Sequence, residues 1–210
     1  MDTLTTKKMM LLVANKMVSS EPHLTKLDQA IGDGDHGIGM ERGFSAVSEL
    51  LSSDYQPENV SKLMIKIGST MMATMGGASG AIFGTLFRAG GKAIKGKNEL
   101  DIPTFSLFLD AGLEAIYQRG GAKPGDKTMI DALVVAMNKS KQLTGNFEDN
   151  IQELATIAMN GAESTKQMIA TTGKAKTLGE RSLGHPDPGA VSMALILEFM
   201  AEFATESIPA

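Results

Sequence analysis

The chain has 210 residues, a net charge of -4 and no cysteine. This length suits one domain with a sizeable core, and the lack of cysteine excludes disulfide bonds, thiol catalysis and thiolate zinc sites. Lys and Arg are scattered, which argues against nucleic acid or an anionic membrane as a partner. No apolar run approaches the roughly 18 residues of a membrane-spanning helix, and the N-terminus lacks the plan of a secretory signal, so a cytoplasmic location is expected.

The sequence predicts an all-α fold, because β-branched and aromatic alternation is nearly absent while Ala, Leu, Met, Lys and Glu recur at helical spacing. A short turn is predicted near 21–28, and helices are predicted over 3–19, 36–52, 58–75, 79–95, 103–119, 128–142, 147–172 and 188–205. Eight such helices predict a single-domain antiparallel bundle or barrel over residues 1–210. The four glycine-rich breaks between helices predict one functional site at an end of the bundle.

The first of these breaks is the most informative segment of the chain. Asp28, Asp33 and Asp35 lie among glycines and offer the oxygen ligands that Mg²⁺ prefers. Three unpaired carboxylates would repel one another, so a compensating cation is expected, and two cations balance a nucleotide diphosphate better than one. A solvated Asp-Gly turn is the alternative. An EF-hand is a poor match, because a bidentate Glu at the twelfth position is lacking.

His36 follows the acidic residues at the predicted start of a helix. It is a candidate phosphate ligand, general acid or phosphorylated nucleophile. Donation to a phosphate is the preferred interpretation, since the positive end of a helix dipole attracts anions.

Two further breaks bear on phosphate binding. Residues 76–80 place glycines before the helix that begins near Ser79, which suits an anion at the helix N-terminus or, equally, close packing of two helices. Residues 120–128 imitate a Walker loop, but Asp126 precedes the lysine and the segment joins two helices, so it is no P-loop. It is expected to form a turn that caps the helix at Thr128, and Met129 could face a purine ring.

The stretch between Gly173 and Gly189, which contains the fourth break at 178–189, combines basic and acidic side chains. Lys174 and Arg181 are candidates for neutralising the charge of a transferring phosphoryl group. A solvated surface loop is the alternative.

Together, these breaks resemble one known family, the nucleotide-binding L subunits of dihydroxyacetone kinases, and the resemblance runs essentially end to end. It is carried by the residues 27–28 and 31–37, 76–80 and 83–85, 124–129, and 179–182, 184–185 and 187–190. Four ordered motifs make a chance match a poor explanation.

The resemblance implies an eight-helix barrel with ADP or ATP at one end. Asp28, Asp33 and Asp35 would hold two Mg²⁺ ions and, with Lys174, act in catalysis. Lys174 stands where some family members have arginine. Lysine keeps the positive charge but lacks the bidentate fork of arginine. The implied nucleotide contacts are His36, Gly37, Ile38, Gly39, Ala78, Ser79, Gly120, Met129, Lys174, Asp187, Pro188 and Gly189.

The resemblance also implies partners. One branch of the family fuses this domain behind a substrate domain and uses ATP; that domain is absent here, so a separate subunit is expected. In the other branch, a phosphohistidine-carrying M subunit of the phosphoenolpyruvate phosphotransferase system rephosphorylates bound ADP, and the phosphoryl group passes to dihydroxyacetone on a K subunit. The partner is then expected to supply the base for the sugar hydroxyl. A homodimer is left open.

Two other functions compete with this one. The chain could be an ATP-exchanging kinase subunit for another small substrate, which free ATP without a phosphohistidine donor would support. It could also be a nucleotide-sensing regulatory module that signals through protein contacts.

Overall fold

The computed structural model describes residues 1–206, and the fold in this range is all-α, as predicted. Its helices are α1 (Thr3–Ser19), α2 (Glu21–Ile31), α3 (His36–Ser52), α4 (Val60–Thr74), α5 (Gly77–Ala93), α6 (Ile102–Gly120), α7 (Met129–Ser140), α8 (Ile151–Ser164) and α9 (Pro188–Glu206). Two 3₁₀ segments, Thr165–Gln167 and Lys174–Ser182, lie between α8 and α9. The predicted end of the domain at residue 210 lies outside the described residues.

Eight of these helices close a ring. The helix α1 packs against α3, the contacts continue in chain order from α3 to α9, and α9 returns to α1. The helix α2 lies beside the ring against α3 and α9. An apolar cluster with members from all nine helices fills the centre. This arrangement confirms the eight-helix barrel.

Two predicted elements differ from the structure. The expected short turn near 21–28 is the 11-residue helix α2, which continues to Ile31. The helix predicted over 147–172 ends at Ser164, because the Lys127 ammonium group donates hydrogen bonds to the carbonyl oxygens of Thr165 and Met168. The chain therefore satisfies these carbonyls without another helical turn.

By length and composition, the helix α9 is long and apolar enough to cross a membrane, although no run of that kind was expected from the sequence. Of the residues in its most apolar 18-residue stretch, 61% are buried inside the protein. This is the placement of a barrel core helix.

Glycines allow α4 and α5 to approach closely. A Cβ atom at Gly68 would lie 2.6 Å from the backbone nitrogen of Arg88 and 2.8 Å from the carbonyl oxygen of Gly84. Backbone atoms of a packed helix cannot move aside as the end of a flexible side chain can. This contact fixes the helix pair whose connecting turn, residues 75–76, faces the candidate site.

We expect Gly68→Ala to lower the free energy of unfolding by about 1–3 kcal/mol, because the added methyl group overpacks the α4–α5 contact. Urea denaturation measures the change. The matched control is Thr156→Ala on the exposed face of α8, which should change stability by less than about 0.5 kcal/mol. Equal stabilities of the two variants would contradict the close contact.

Candidate functional site

The predicted loops converge on one cavity of about 550 Å³ at an end of the barrel. It lies between the α2–α3 link, the α4–α5 turn, the start of α7 and the chain before α9. Of the site residues predicted from the sequence, the cavity is lined by Asp28, Asp35, His36, Ile38, Gly39, Ala78, Ser79, Gly120, Met129, Lys174, Asp187, Pro188 and Gly189.

Two predicted site residues do not line this cavity. Asp33 lies at its edge with an exposed side chain. Gly37 is buried against α2, where an added Cβ atom would lie 2.3 Å from Thr25 Oγ1. Gly37 thus brings α3 close to α2, and any contact with a ligand would come from its backbone.

The three predicted metal ligands form one cluster. Carboxylate oxygens of Asp28, Asp33 and Asp35 lie within 4.8 Å of one another. Asp28 sits on the last turn of α2, and its Oδ2 accepts a hydrogen bond from the backbone nitrogen of His36 at 3.1 Å. A Cβ atom on Gly32 would lie 2.2 Å from Asp28 Oδ1, so glycine at this position leaves room for the carboxylate to fold back over the link.

Lys174 supplies the positive charge in this cluster. Its ammonium group donates hydrogen bonds to Asp33 Oδ2 and, at 2.8 Å, to Asp35 Oδ2. The hydrogen bond from Lys174 lowers the pKa of Asp33. A cation between two carboxylates is the charge arrangement that a divalent ion would also satisfy, so the donor set fits Mg²⁺.

The turn before α5 has the backbone of an anion site. Gly76 and Gly77 have φ values of 74° and 57°, which favour glycine. The first backbone N–H groups of α5 have no acceptor within the helix, and Ala78 and Ser79 in its first turn line the cavity. Close helix packing, the alternative interpretation, is found further along, at Gly80, where a Cβ atom would lie 3.1 Å from Met75 Cβ.

His36 joins three helices. Its Nδ1 lies 3.1 Å from Ser79 Oγ on α5, and its Nε2 lies 2.7 Å from Ser192 Oγ on α9. Burial lowers the pKa of His36, which favours the neutral ring. One ring nitrogen then donates and the other accepts. Donation to a phosphate would require one of these hydroxyl groups to move.

One wall of the cavity is apolar. Ile82 and Phe83 of α5 face Ile116 of α6 and Met129 of α7. These side chains offer a surface that suits a flat purine ring. Met129 is 5% exposed and lies at the start of α7, where Thr128 forms the predicted N-cap with a capping box to Asp131.

Sequence reasoning missed two charged residues here. Arg42 lines the cavity, and a signal was present, since His36, Gly39 and Arg42 recur every third residue along α3. Lys127 also lines it, but its left-handed backbone, with φ of 61°, has no sequence signature in a lysine. Arg181, a candidate phosphate ligand from the sequence, is exposed and does not line the cavity.

Asp187 caps the helix α9. Its Oδ2 accepts a hydrogen bond from the backbone nitrogen of Ala190 at 2.7 Å. Burial raises the pKa of Asp187 to about 7, and the nearby charges of Asp131 and Asp28 act in the same direction.

We expect Asp187→Asn to remove a pH dependence from the stability of the protein. The raised pKa means that the folded chain holds this proton more tightly than the unfolded chain, so the stabilisation is full below about pH 4 and lost by about pH 7. Asparagine keeps an oxygen for the cap of α9 but does not titrate. Urea denaturation across this range, with divalent ions chelated, should show wild-type stability falling relative to the variant as pH rises. A difference independent of pH would contradict the assignment.

The comparison with family models decides the assignment of the chain. Residues 30–202 match the DAK2 domain. The chain belongs to the DAK2 domain family. The ADP-binding subunit of the PEP-dependent dihydroxyacetone kinase of Escherichia coli is 36% identical over 187 residues, which cover 88% of this chain and 89% of the relative. The corresponding subunit of kinase 1 of Listeria innocua is 40% identical over 179 residues, 85% of each chain.

Solved structures agree with the family assignment. The dihydroxyacetone kinase of C. freundii matches with a TM-score of 0.76 and 31% identity, covering 96% of this chain but 34% of the kinase. A second structure of that kinase, in complex with AMP-PNP and Mg²⁺, matches with a TM-score of 0.74 and 29% identity, covering 93% of this chain and 33% of that one. The resemblance seen in the sequence is confirmed, and so is the phosphotransferase class, since these DAK2 relatives are kinases or kinase subunits.

Proposed function

We propose that the chain is the nucleotide-binding subunit of a PEP-dependent dihydroxyacetone kinase, a single-domain cytoplasmic protein. It transfers a phosphoryl group from a magnesium-bound nucleotide to dihydroxyacetone held on a separate K subunit. A phosphohistidine-carrying M subunit of the phosphotransferase system then rephosphorylates the bound ADP. The observation that carries this proposal is that a cluster of three carboxylates, two of which line the cavity and one of which lies at its edge, meets a lysine and a glycine-led helix N-terminus there.

The shape of the cavity supports an orientation for the nucleotide. The purine lies against Ile82, Ile116 and Met129, and the phosphates lie between the start of α5 and the acidic cluster. Residues 36–39, 78–79, 120 and 187–189 contact the nucleotide in this proposal, and the backbone N–H groups of Ala78 and Ser79 in the first turn of α5 have no acceptor within the helix.

Asp28, Asp33 and Asp35 hold two Mg²⁺ ions in this proposal. The three carboxylates and the phosphates of a nucleotide carry more negative charge than one divalent ion and Lys174 can offset. The bound ions would neutralise charge on the phosphates, which is the main requirement of phosphoryl transfer.

The chain's own residues bind the nucleotide and orient its phosphoryl group. Lys174 contacts the acidic cluster and is placed to contact the phosphoryl group as it moves. His36 is held between two serines, so it is poorly placed to take the proton of an acceptor hydroxyl. The base therefore comes from the K subunit, which docks on the open end of the cavity.

The lengths of the relatives support a separate subunit. Relatives of matching length in E. coli and L. innocua are themselves ADP-binding subunits. An ATP-exchanging kinase subunit is the second candidate function, because the C. freundii kinase binds the ATP analogue AMP-PNP in its solved complex.

The deciding experiment is to purify the protein without added nucleotide, denature it and quantify the released nucleotide by chromatography and mass spectrometry. The proposal predicts near-stoichiometric ADP, which a phosphohistidine donor converts to ATP before denaturation. A site that is empty after purification and readily exchanges added ATP would contradict it and support the second candidate. A protein that binds neither ADP nor ATP would contradict both candidate functions.

A further inference from the structure

The segment of residues 165–187, between α8 and α9, carries Lys174 to the acidic cluster. Its three glycines, Gly173, Gly179 and Gly184, all have positive φ values, and most of its residues from 173 to 185 are exposed or partly exposed. Such a segment has little core packing of its own. Its position therefore depends on the contacts at its two ends.

Lys127 makes contacts at both ends. Its ammonium group donates hydrogen bonds to the carbonyl oxygens of Thr165 at 2.7 Å, Met168 at 3.2 Å and His185 at 2.6 Å. An ammonium group has three donors, and each of them finds a carbonyl here. Thr165 and Met168 begin the 165–187 segment and His185 lies near its end, so a single side chain closes the segment at its base.

The burial and backbone of Lys127 indicate that this contact is maintained. Lys127 is 2% exposed, and its φ of 61° is unfavourable for a residue with a Cβ atom. Burial lowers the pKa of Lys127, which the charges of Asp187 and Asp131 oppose. An alternative direction for this side chain would leave the three carbonyls without their shared donor.

The neighbouring residue adds an independent contact. Asp126 Oδ1 accepts a hydrogen bond from the Thr171 hydroxyl at 2.6 Å, and the Asp126 carbonyl oxygen accepts one from the Thr171 backbone nitrogen at 3.4 Å. Three bonds inside the segment complete its base: Gly184 N to Lys166 O, Ala170 N to Ser182 Oγ, and Asp187 N to Thr165 Oγ1.

We infer that Lys127 is a positioning residue, which fixes the base of the 165–187 segment so that Lys174 reaches Asp33 and Asp35. It acts on phosphoryl transfer through Lys174 and not by contact with the phosphoryl group. The catalytic consequence of this inference rests on the proposed function. The role of Lys127 in holding the base of the 165–187 segment does not.

The structural part is tested by hydrogen exchange. In Lys127→Met, the amides of Ala170, Gly184 and Asp187 should exchange at least about tenfold faster, while the amides of α4 and α5 keep their wild-type rates. The matched control is Lys123→Met, the same change at an exposed lysine of the same loop, which should leave all these rates unchanged. Unchanged exchange in the 165–187 segment of Lys127→Met would overturn the inference, whether or not the protein transfers phosphoryl groups.

The catalytic part is tested by a double-mutant cycle. Lys127→Met should lower kcat about tenfold with little change in KM, and should lower it less than about twofold when Lys174 is already methionine. Additive effects in the double variant would overturn the inference. A wild-type protein without transfer activity would reject the proposed function, and the hydrogen-exchange result would still decide the role of Lys127.

A milder variant covers the case in which Lys127→Met does not fold. Lys127→Gln keeps a polar side chain at this position but offers two donors in place of three and a shorter reach toward the carbonyls of Thr165, Met168 and His185. It should speed exchange at Ala170 and Gly184 about two- to threefold. Wild-type rates at both amides would overturn the inference.

Discussion

Replacing Asp33 with asparagine should weaken the binding of magnesium nucleotide by about 100-fold or more and abolish phosphoryl transfer, while the helical fold stays intact. Loss of a partner that only orients a metal ligand typically costs 10–100-fold in affinity, and loss of a ligand charge should cost more. Asp33 is exposed, belongs to the link between α2 and α3, and contributes no side chain to the core. The substitution therefore removes charge from the cluster without opening a cavity.

The measurement is the affinity for Mg-ADP by calorimetry, with circular dichroism to report helix content. The matched control is Asp54→Asn, the same substitution at an exposed aspartate in the loop between α3 and α4, which should bind as the wild type does. Full affinity and transfer in Asp33→Asn would reject the metal assignment. Loss of helix content would show instead that Asp33 is needed for folding.

Replacing Lys174 with methionine should lower the rate of phosphoryl transfer by about 10²–10³-fold, because removal of one charge-stabilising donor from a transition state typically costs this much. The nucleotide affinity should fall by less than about tenfold, since the purine wall and the start of α5 are unchanged. In the structure the Lys174 ammonium group contacts Asp33 and Asp35, so it lies where the charge of the phosphates and metal ions would collect.

Single-turnover transfer, measured beside Mg-ADP affinity, separates the two effects. Lys174→Arg should retain most of the rate, because arginine keeps the charge and can donate from two nitrogen atoms of its planar fork. Lys176→Met, at an exposed lysine in the same segment, is the control and should transfer at the wild-type rate. Wild-type transfer by Lys174→Met would exclude Lys174 from the reaction.

The three carboxylates illustrate what could be predicted before the structure was known. They meet across a link of only a few residues, so the spacing and glycine content of the sequence were enough to predict a cluster. The same holds for the Thr128 cap and for the glycine turn before α5, which involve near neighbours in the chain. The functional roles of these residues stay predictions.

The sequence by itself determined the positions of the helices other than α2, the order of the loops and the family, because helical periodicity, caps and motifs are local. The tertiary structure alone decided contacts between distant residues. Lys174 meets Asp35 across 139 positions, His36 meets Ser192 across 156, and α9 closes the ring on α1. It also decided where α8 ends, since Lys127 takes up the carbonyls that another helical turn would have used. Such contacts depend on how the helices within residues 1–206 pack around one core, and no local pattern in the sequence encodes that packing.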